Sequence, residues 1–426
     1  MDEHLTAASG PLTGIRVVEL TTAWAGPMAG RVLAFLGAEV IQLESPTRVN
    51  SWRMNKEAVN PINFPGREPG ARPYDRAYLF NSQNINKRSL ILNLKGPGGL
   101  DALRDLLAKT DVLICNFRPG MLRQMGLDYD RLRALKPDII VAEMPAFGIE
   151  GPNAGYAALG PTMEMAAGMS SLIGYRDGGP VTTGPSYMDP IGGFNCAAAI
   201  LTALVHRQDT GEGQHIEMPQ VEAGMQFIGE EILGAIDSGA DPEPDGNHVR
   251  HAAPHDAYAA QGEDSWVAIA VTTDEAFGAL CTIIGQPALA RDARFATFAE
   301  RHRNQDLLRD PITRWTRTLS KHAAAARLQE AGVAAAPVQN PKDVADSAHF
   351  AQTGYFTRLS HPDAGVHPYP GLPFRLSGTP GRQTSAAPAF GQDTHAILSG
   401  VIGLSPDAIA ALERDGTVAS APLPGA

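Results

Sequence analysis

The first third of the chain alternates between two apolar patterns. Short β-branched runs predict strands over Ile15–Leu20, Glu39–Glu44, Ser89–Leu94, Asp111–Asn116 and Asp138–Glu143. Between them, apolar positions recur every three to four residues, which predicts helices over Arg31–Ala38, Gly98–Lys109 and Tyr129–Lys136. Gly37 supplies a stop for the first and Pro137 for the last. Strand, Gly/Pro turn, helix, strand is the opening of a parallel α/β domain. The polar, Pro- and Gly-rich stretch Arg48–Tyr78 exceeds an ordinary connection, and it is expected to cover a binding cleft.

Later, Phe194–Arg207 is the strongest helix signal, dominated by Ala and Leu and apolar nearly all round, so it is expected to be buried. A strand at His215–Met218 and a helix at Val221–Ile232 follow. Ser238–Asn247, rich in Gly, Asp and Pro, then breaks the pattern. Beyond it, a strand at Ser265–Val271, helices at Thr273–Ile284, 301–318 and 321–331, and a strand-like Gly332–Val338 read as a smaller α+β domain. Turns dominate after Phe350 until Ser405–Glu413, where Ser caps a helix and Pro406 takes its first position. The expected division is 1–237 for a large α/β domain, 238–345 for linker and small domain, and 346–426 for a return to the large domain.

Composition narrows this modestly. The 426 residues exceed the usual single-domain size, and 43% hydrophobic residues suffice for full cores. A net charge of −11 argues against nonspecific binding to nucleic acid or to an anionic membrane. Cys115, Cys196 and Cys281 suggest neither zinc spacing nor a disulfide framework. The acidic start Met-Asp-Glu-His-Leu does not resemble a secretory signal, and no uninterrupted apolar run reaches transmembrane length. The expectation is a cytoplasmic protein.

Candidate chemistry centres on Asp189, in Ser186-Tyr-Met-Asp-Pro-Ile-Gly-Gly-Phe-Asn195. An acid before a helix is often an N-cap. It is equally a carboxylate nucleophile able to attack an activated acyl group, steadied by a helix N-terminus. Gly192 and Gly193 allow a ligand or backbone to come close. Lys87 and Arg88 are either a solvated strand flank or phosphate contacts, with Arg16, Arg31, Arg48 and Arg53 as weaker candidates. Trp24 packs in the core or lines an acyl pocket. His251, His255 and Asp256 match no strong metal spacing, and His215 reads as structural. Glu143 and Glu164 face a cleft or solvent. Cys196 lies in an apolar helix and reads as an inert thiol. Neither Gly-x-Ser-x-Gly nor Gly-x-Gly-x-x-Gly is present, which argues against a serine hydrolase and a nicotinamide or flavin site.

Separated pieces resemble, in order, the class III coenzyme A transferases (CaiB/BaiF), the family of formyl-, carnitine- and succinyl-type transferases. They are Pro11–Leu20 with Ala25–Pro27, Leu36–Pro46, Asn84–Leu94, Asp111–Gly120, Gly126–Tyr129, Tyr187–Pro190, Arg207–Gln214 and Gly332–Val338. The resemblance implies that Asp189 forms a mixed anhydride and then an aspartyl-CoA thioester. It implies acyl-CoA as substrate with no tightly bound cofactor, a carboxylic-acid acceptor, and CoA contacts among Asn86, Lys87, Arg88, Arg53 and Trp24. It also implies a large Rossmann-like domain built from both chain ends, a smaller domain between, and an interlocked homodimer. Trp24 stands where formyl-type relatives carry glutamine, favouring an acyl group with an apolar surface. Gly160–Gly168 departs from the family pattern, with Glu164 about where a glutamine falls, and Gln392–His395 permutes the usual ending. Two other outcomes remain: α-methylacyl-CoA racemisation, which needs an acid/base pair, and silent CoA binding.

Overall fold

The computed structural model describes residues 10–54, 60–175 and 177–425. It divides into one unit of Met1–Ser170, Thr182–Ala240 and Gly354–Ala426, and a second of Ser171–Val181 and Asp241–Thr353. The larger unit thus takes both chain ends. Segment 171–181 goes to the smaller unit, with 241–353.

The larger unit holds a six-stranded sheet of β1 (Arg16–Leu20), β2 (Glu39–Glu44), β3 (Arg88–Ile91), β4 (Val112–Cys115), β5 (Ile140–Glu143) and β6 (His215–Glu217). The order is β3-β2-β1-β4-β5-β6, with every pair parallel. Alternate strand residues serve opposite faces. Val18, Ile41, Leu90, Leu113 and Val141 join one core with the Gly99–Leu107 helix. Val17, Val40, Val112, Ile114 and Ile140 join the other, with the Ala25–Phe35 helix (the first helix) and the Met188–Thr210 helix (the long helix). Two covered faces explain why the strands read as apolar throughout.

The long helix is, by length and composition, apolar enough to cross a membrane, but Cys196, Ala197 and Ile200 are spent in the second core. It begins six residues before its expected start. Gly193 packs on the first helix, where an added Cβ would lie 2.6 Å from Met28 Cβ, and Gly192 packs on Gln220. The glycine pair therefore serves helix contacts.

The chain's return closes one edge of the sheet. Ser89 N–H donates to Asp393, Ile91 N–H to Thr394 Oγ1, and Asn93 N–H to the Thr417 carbonyl. Gln392–His395 thus covers edge strand β3, which otherwise presents unpaired backbone groups. An antiparallel hairpin of Phe356–His361 and Gly365–Pro370 belongs to the same unit.

The second unit is a three-stranded antiparallel sheet of β7 (His255–Ala259), β8 (Trp266–Ala270) and β9 (Ala334–Pro337). Its core gathers Tyr258, Val267, Ile269, Phe277, Phe295, Leu308 and Leu328. The helix expected over 301–318 is two, Phe298–Arg303 and Asp306–Thr316.

Candidate active site

The strand order reverses between β1 and β4, so the loops leaving their carboxyl ends diverge and open a crevice there. Asn116, just after β4, brackets the β1 loop: its Oδ1 accepts from Thr22 N–H and its Nδ2 donates to the Thr22 carbonyl, both at 2.9 Å. Asn50, beyond β2, ties Thr22 Oγ1 to the Trp52 N–H. Within this clamped loop Ala23 holds φ 58°, the left-handed region that L side chains avoid. The first helix starts directly after it, at Ala25.

Asp189 meets that helix start. It lies in the first turn of the long helix, whose N-cap is Tyr187. The capping interpretation is therefore corrected: Asp189 sits inside the helix. Its carboxylate packs against Gly160, where an added Cβ would overlap Oδ2 and crowd Ser186. Burial pushes the carboxyl up to about 6, opposed by the Ala25 backbone N–H, which favours the charged form. No cation pairs with Asp189 among the described residues. The result is a half-buried carboxylate, ionised at neutral pH, more basic than usual, and set against the positive end of an eleven-residue helix. Such a group is suited to attack an electrophilic carbonyl.

The expected CoA contacts are largely consumed by the framework. Lys87 is buried and its Nζ donates to Glu19 Oε2 and the Pro27 carbonyl, each at 2.8 Å, and to Asn84 Oδ1. Arg53 is fully buried, paired with Glu44 at 2.7 Å and Asp75 at 3.0 Å, its guanidinium 3.5 Å from the Phe80 ring centroid. Neither has a donor left for a phosphate. Asn86, at φ 62°, spends its amide on the Arg382 carbonyl and on Thr384 and Ser385. Arg88 bridges Glu39 and Asp393 at the amino end of β3, whereas ligands of such sheets bind at carboxyl ends. Trp24 is half-buried beside Ala25.

Other candidates resolve similarly. Arg16 pairs with Glu39, and Arg31 donates to the Ser82 carbonyl. Glu164 is buried and accepts from Thr183 N–H and Oγ1 at 2.8 and 2.9 Å, so it fixes the segment leading to Asp189. Glu143 pairs with His215, which stacks on Tyr129. Asp256 is held by Asn247 and Arg309, and His255 Nδ1 meets the Asn247 carbonyl. Cys196 is buried and its thiol is pushed up to about 12, as inert as expected.

Sequence reasoning missed Gly160 and Ala25 as site residues. It also missed Arg118 on the β4 loop. With Arg48 on the β2 loop, it is an exposed cation whose guanidinium carries no hydrogen bond or ion pair among the described residues. Their position past strand ends was the available signal.

Comparison with known proteins adds the lineage. The model of CoA-transferase family III matches residues 12–394. A succinyl-CoA–D-citramalate CoA-transferase of Chloroflexus aurantiacus is 31% identical over 95% of this chain and 97% of its own length. An acetyl-CoA:oxalate CoA-transferase of Acetobacter aceti is 32% identical over 87% of this chain and 90% of its own. The crystal structure of a CaiB/BaiF family protein from Brucella suis superposes with a TM-score of 0.82, at 31% identity, covering 92% of this chain and 99% of that one. The chain belongs to CoA-transferase family III and is an enzyme of the CoA-transferase kind.

Proposed function

We propose that Asp189 carries CoA from an acyl-CoA donor to a carboxylic-acid acceptor. One observation carries this reading: Asp189 is a half-buried carboxylate with no cation beside it among the described residues, held at the start of the first helix with its basicity raised. An Asp189 oxygen attacks the donor thioester carbonyl, the C–S bond breaks, and a mixed anhydride and CoA thiolate result. The thiolate attacks the Asp189 carbonyl, releasing the donor acid and leaving an aspartyl-CoA thioester. An acceptor carboxylate repeats the attack, giving a second anhydride, and the thiolate then takes the acceptor's acyl carbon and frees Asp189. Each step exchanges one carbonyl–heteroatom bond for another, with no net proton transfer.

The Ala25 N–H and the first helix's dipole favour negative charge on the carboxylate between turnovers. Gly160 leaves the Asp189 carboxylate room that any side chain there would take. Arg118 and Arg48 are exposed cations available to meet CoA phosphates, and they follow the carboxyl ends of β4 and β2. A homodimer fits the Gly229–Ser238 helix, none of whose residues is buried, with Leu233 70% and Ile236 76% exposed and Phe227 beside it. A cytoplasmic location, with neither nucleic acid nor membrane as partner, completes the reading.

Intact-protein and peptide mass spectrometry after exposure to acyl-CoA donors, with hydroxylamine trapping, tests it. A donor-dependent adduct on Asp189, absent in D189A, is expected. A folded protein that binds acyl-CoA yet forms no adduct moves the reading to racemisation or silent binding, and solvent-deuterium exchange at the α-carbon separates those two.

A further inference from the structure

Two tryptophans meet on the loops that leave β1 and β2. Trp24 immediately precedes Ala25, whose N–H meets the Asp189 carboxylate. Its ring packs against Trp52, with centroids 5.5 Å apart and planes at 45°. Both side chains are half-buried. They belong to loops leaving β1 and β2, and the Asn50–Thr22–Asn116 bonds fix those loops to one another. Trp24 Nε1 is shut away from solvent and has no hydrogen-bond acceptor among the described residues. The exposed part of the ring is therefore carbon and π-face, with its one polar atom withheld.

Among the neighbouring cations, Lys87 is neutralised by Glu19, and Arg53 by Glu44 with Asp75. Arg31 donates to the neutral Ser82 carbonyl, and Arg48, on the Trp52 loop, is exposed. A dicarboxylic acyl group would draw on those two charges, whereas a planar, uncharged acyl body is met by the ring faces alone.

We infer that Trp24 and Trp52 form an acyl-recognition surface selecting thioesters with an aromatic or comparably flat apolar body. This rests on the reading of Asp189 as the group that meets the thioester. The thioester and the adenine are opposite ends of CoA, so a surface one residue from the nucleophile's anchor contacts the acyl end.

Binding to the folded, chemically silenced D189N protein is measured by calorimetry with CoA, acetyl-CoA, succinyl-CoA and benzoyl-CoA. Benzoyl-CoA is expected to bind about 10-fold tighter than acetyl-CoA or succinyl-CoA. Adding W24Q or W52A is expected to bring that ratio to about one, and W24F to preserve it. A ratio read within each variant is insensitive to partial loss of folded protein. Equal or tighter binding of succinyl-CoA, or a benzoyl preference unchanged by W24Q, overturns the inference. Wild-type adduct formation separates the two levels. An Asp189 adduct from succinyl-CoA but not from benzoyl-CoA overturns the aromatic surface and leaves transfer standing. Benzoyl preference with no adduct from any donor sustains the surface and overturns the transfer mechanism.

Discussion

Glu19 and Asp189 are two carboxylates held against the same helix, and they differ in what opposes their charge. Glu19, in β1, is fully buried with Lys87 at 2.8 Å. Asp189 keeps some solvent contact and faces a backbone N–H. Burial pushes both carboxyls upward, and at Glu19 the lysine works against that shift while burial pushes Lys87 down. Glu19 is thereby locked into a pair whose lysine also grips the Pro27 carbonyl in the first helix. Its charge sets where the helix sits. The charge of Asp189 is uncommitted, so it is free to form a bond. A buried acid with a cation is framework; the same acid without one is available for chemistry.

Breaking the uncommitted side gives the largest effect. D189N is expected to lower CoA exchange by roughly 10⁴-fold or more, read by exchange kinetics. G160A tests position alone, since its new methyl overlaps Asp189 Oδ2. Turnover is expected to fall on the order of 10²-fold while circular dichroism stays native.

Breaking the committed side acts on stability. K87M strands a buried carboxylate and is expected to cost about 3–5 kcal/mol in denaturant unfolding. Adding E19Q is expected to recover part of that, whereas removal of a merely packing lysine gains nothing from the second change.

The smallest effects sharpen the contrast through pH. Asp189 ionises at about 6 in the folded protein, so kcat/KM is expected to fall as pH drops through that value. The same raised ionisation means stability from this group is present below the ordinary aspartate range and lost as pH rises through about 6. D189N is therefore expected to be more stable than wild type by about 1–2 kcal/mol at pH 8, once solvent screening is allowed for, and equal to it at pH 3.

The sheet was legible because strands buried on both faces leave continuous apolar runs, as in Asp111–Asn116. Asp189 stood out through its motif, but its place inside the long helix did not. Gly192, Gly193 and Pro190 look like a helix break, and the helix tolerates them because Pro190 needs no N–H partner in the first turn and the glycines admit neighbouring elements. The partners of the basic segment at 86–88 were hidden for a related reason. Lys87 and Arg88 read as free charges until their acceptors, Glu19 and Glu39, are brought from distant strands. Nothing local pairs Trp24 with Trp52, which meet only because β1 and β2 are neighbours.

The return of the chain's end to β3 has a bearing on synthesis. Asp393 and Ser89 are 304 positions apart, and Asn93 waits for Thr417. On a ribosome, β1 to β6 emerge long before the segment that shields their outer strand. For that interval the nascent sheet offers an open backbone edge to any neighbouring chain, and the hazard ends only once 393–417 has emerged. A nascent-chain series stalled before and after residue 394 would show the transition as a drop in capture by hydrophobic-surface chaperones.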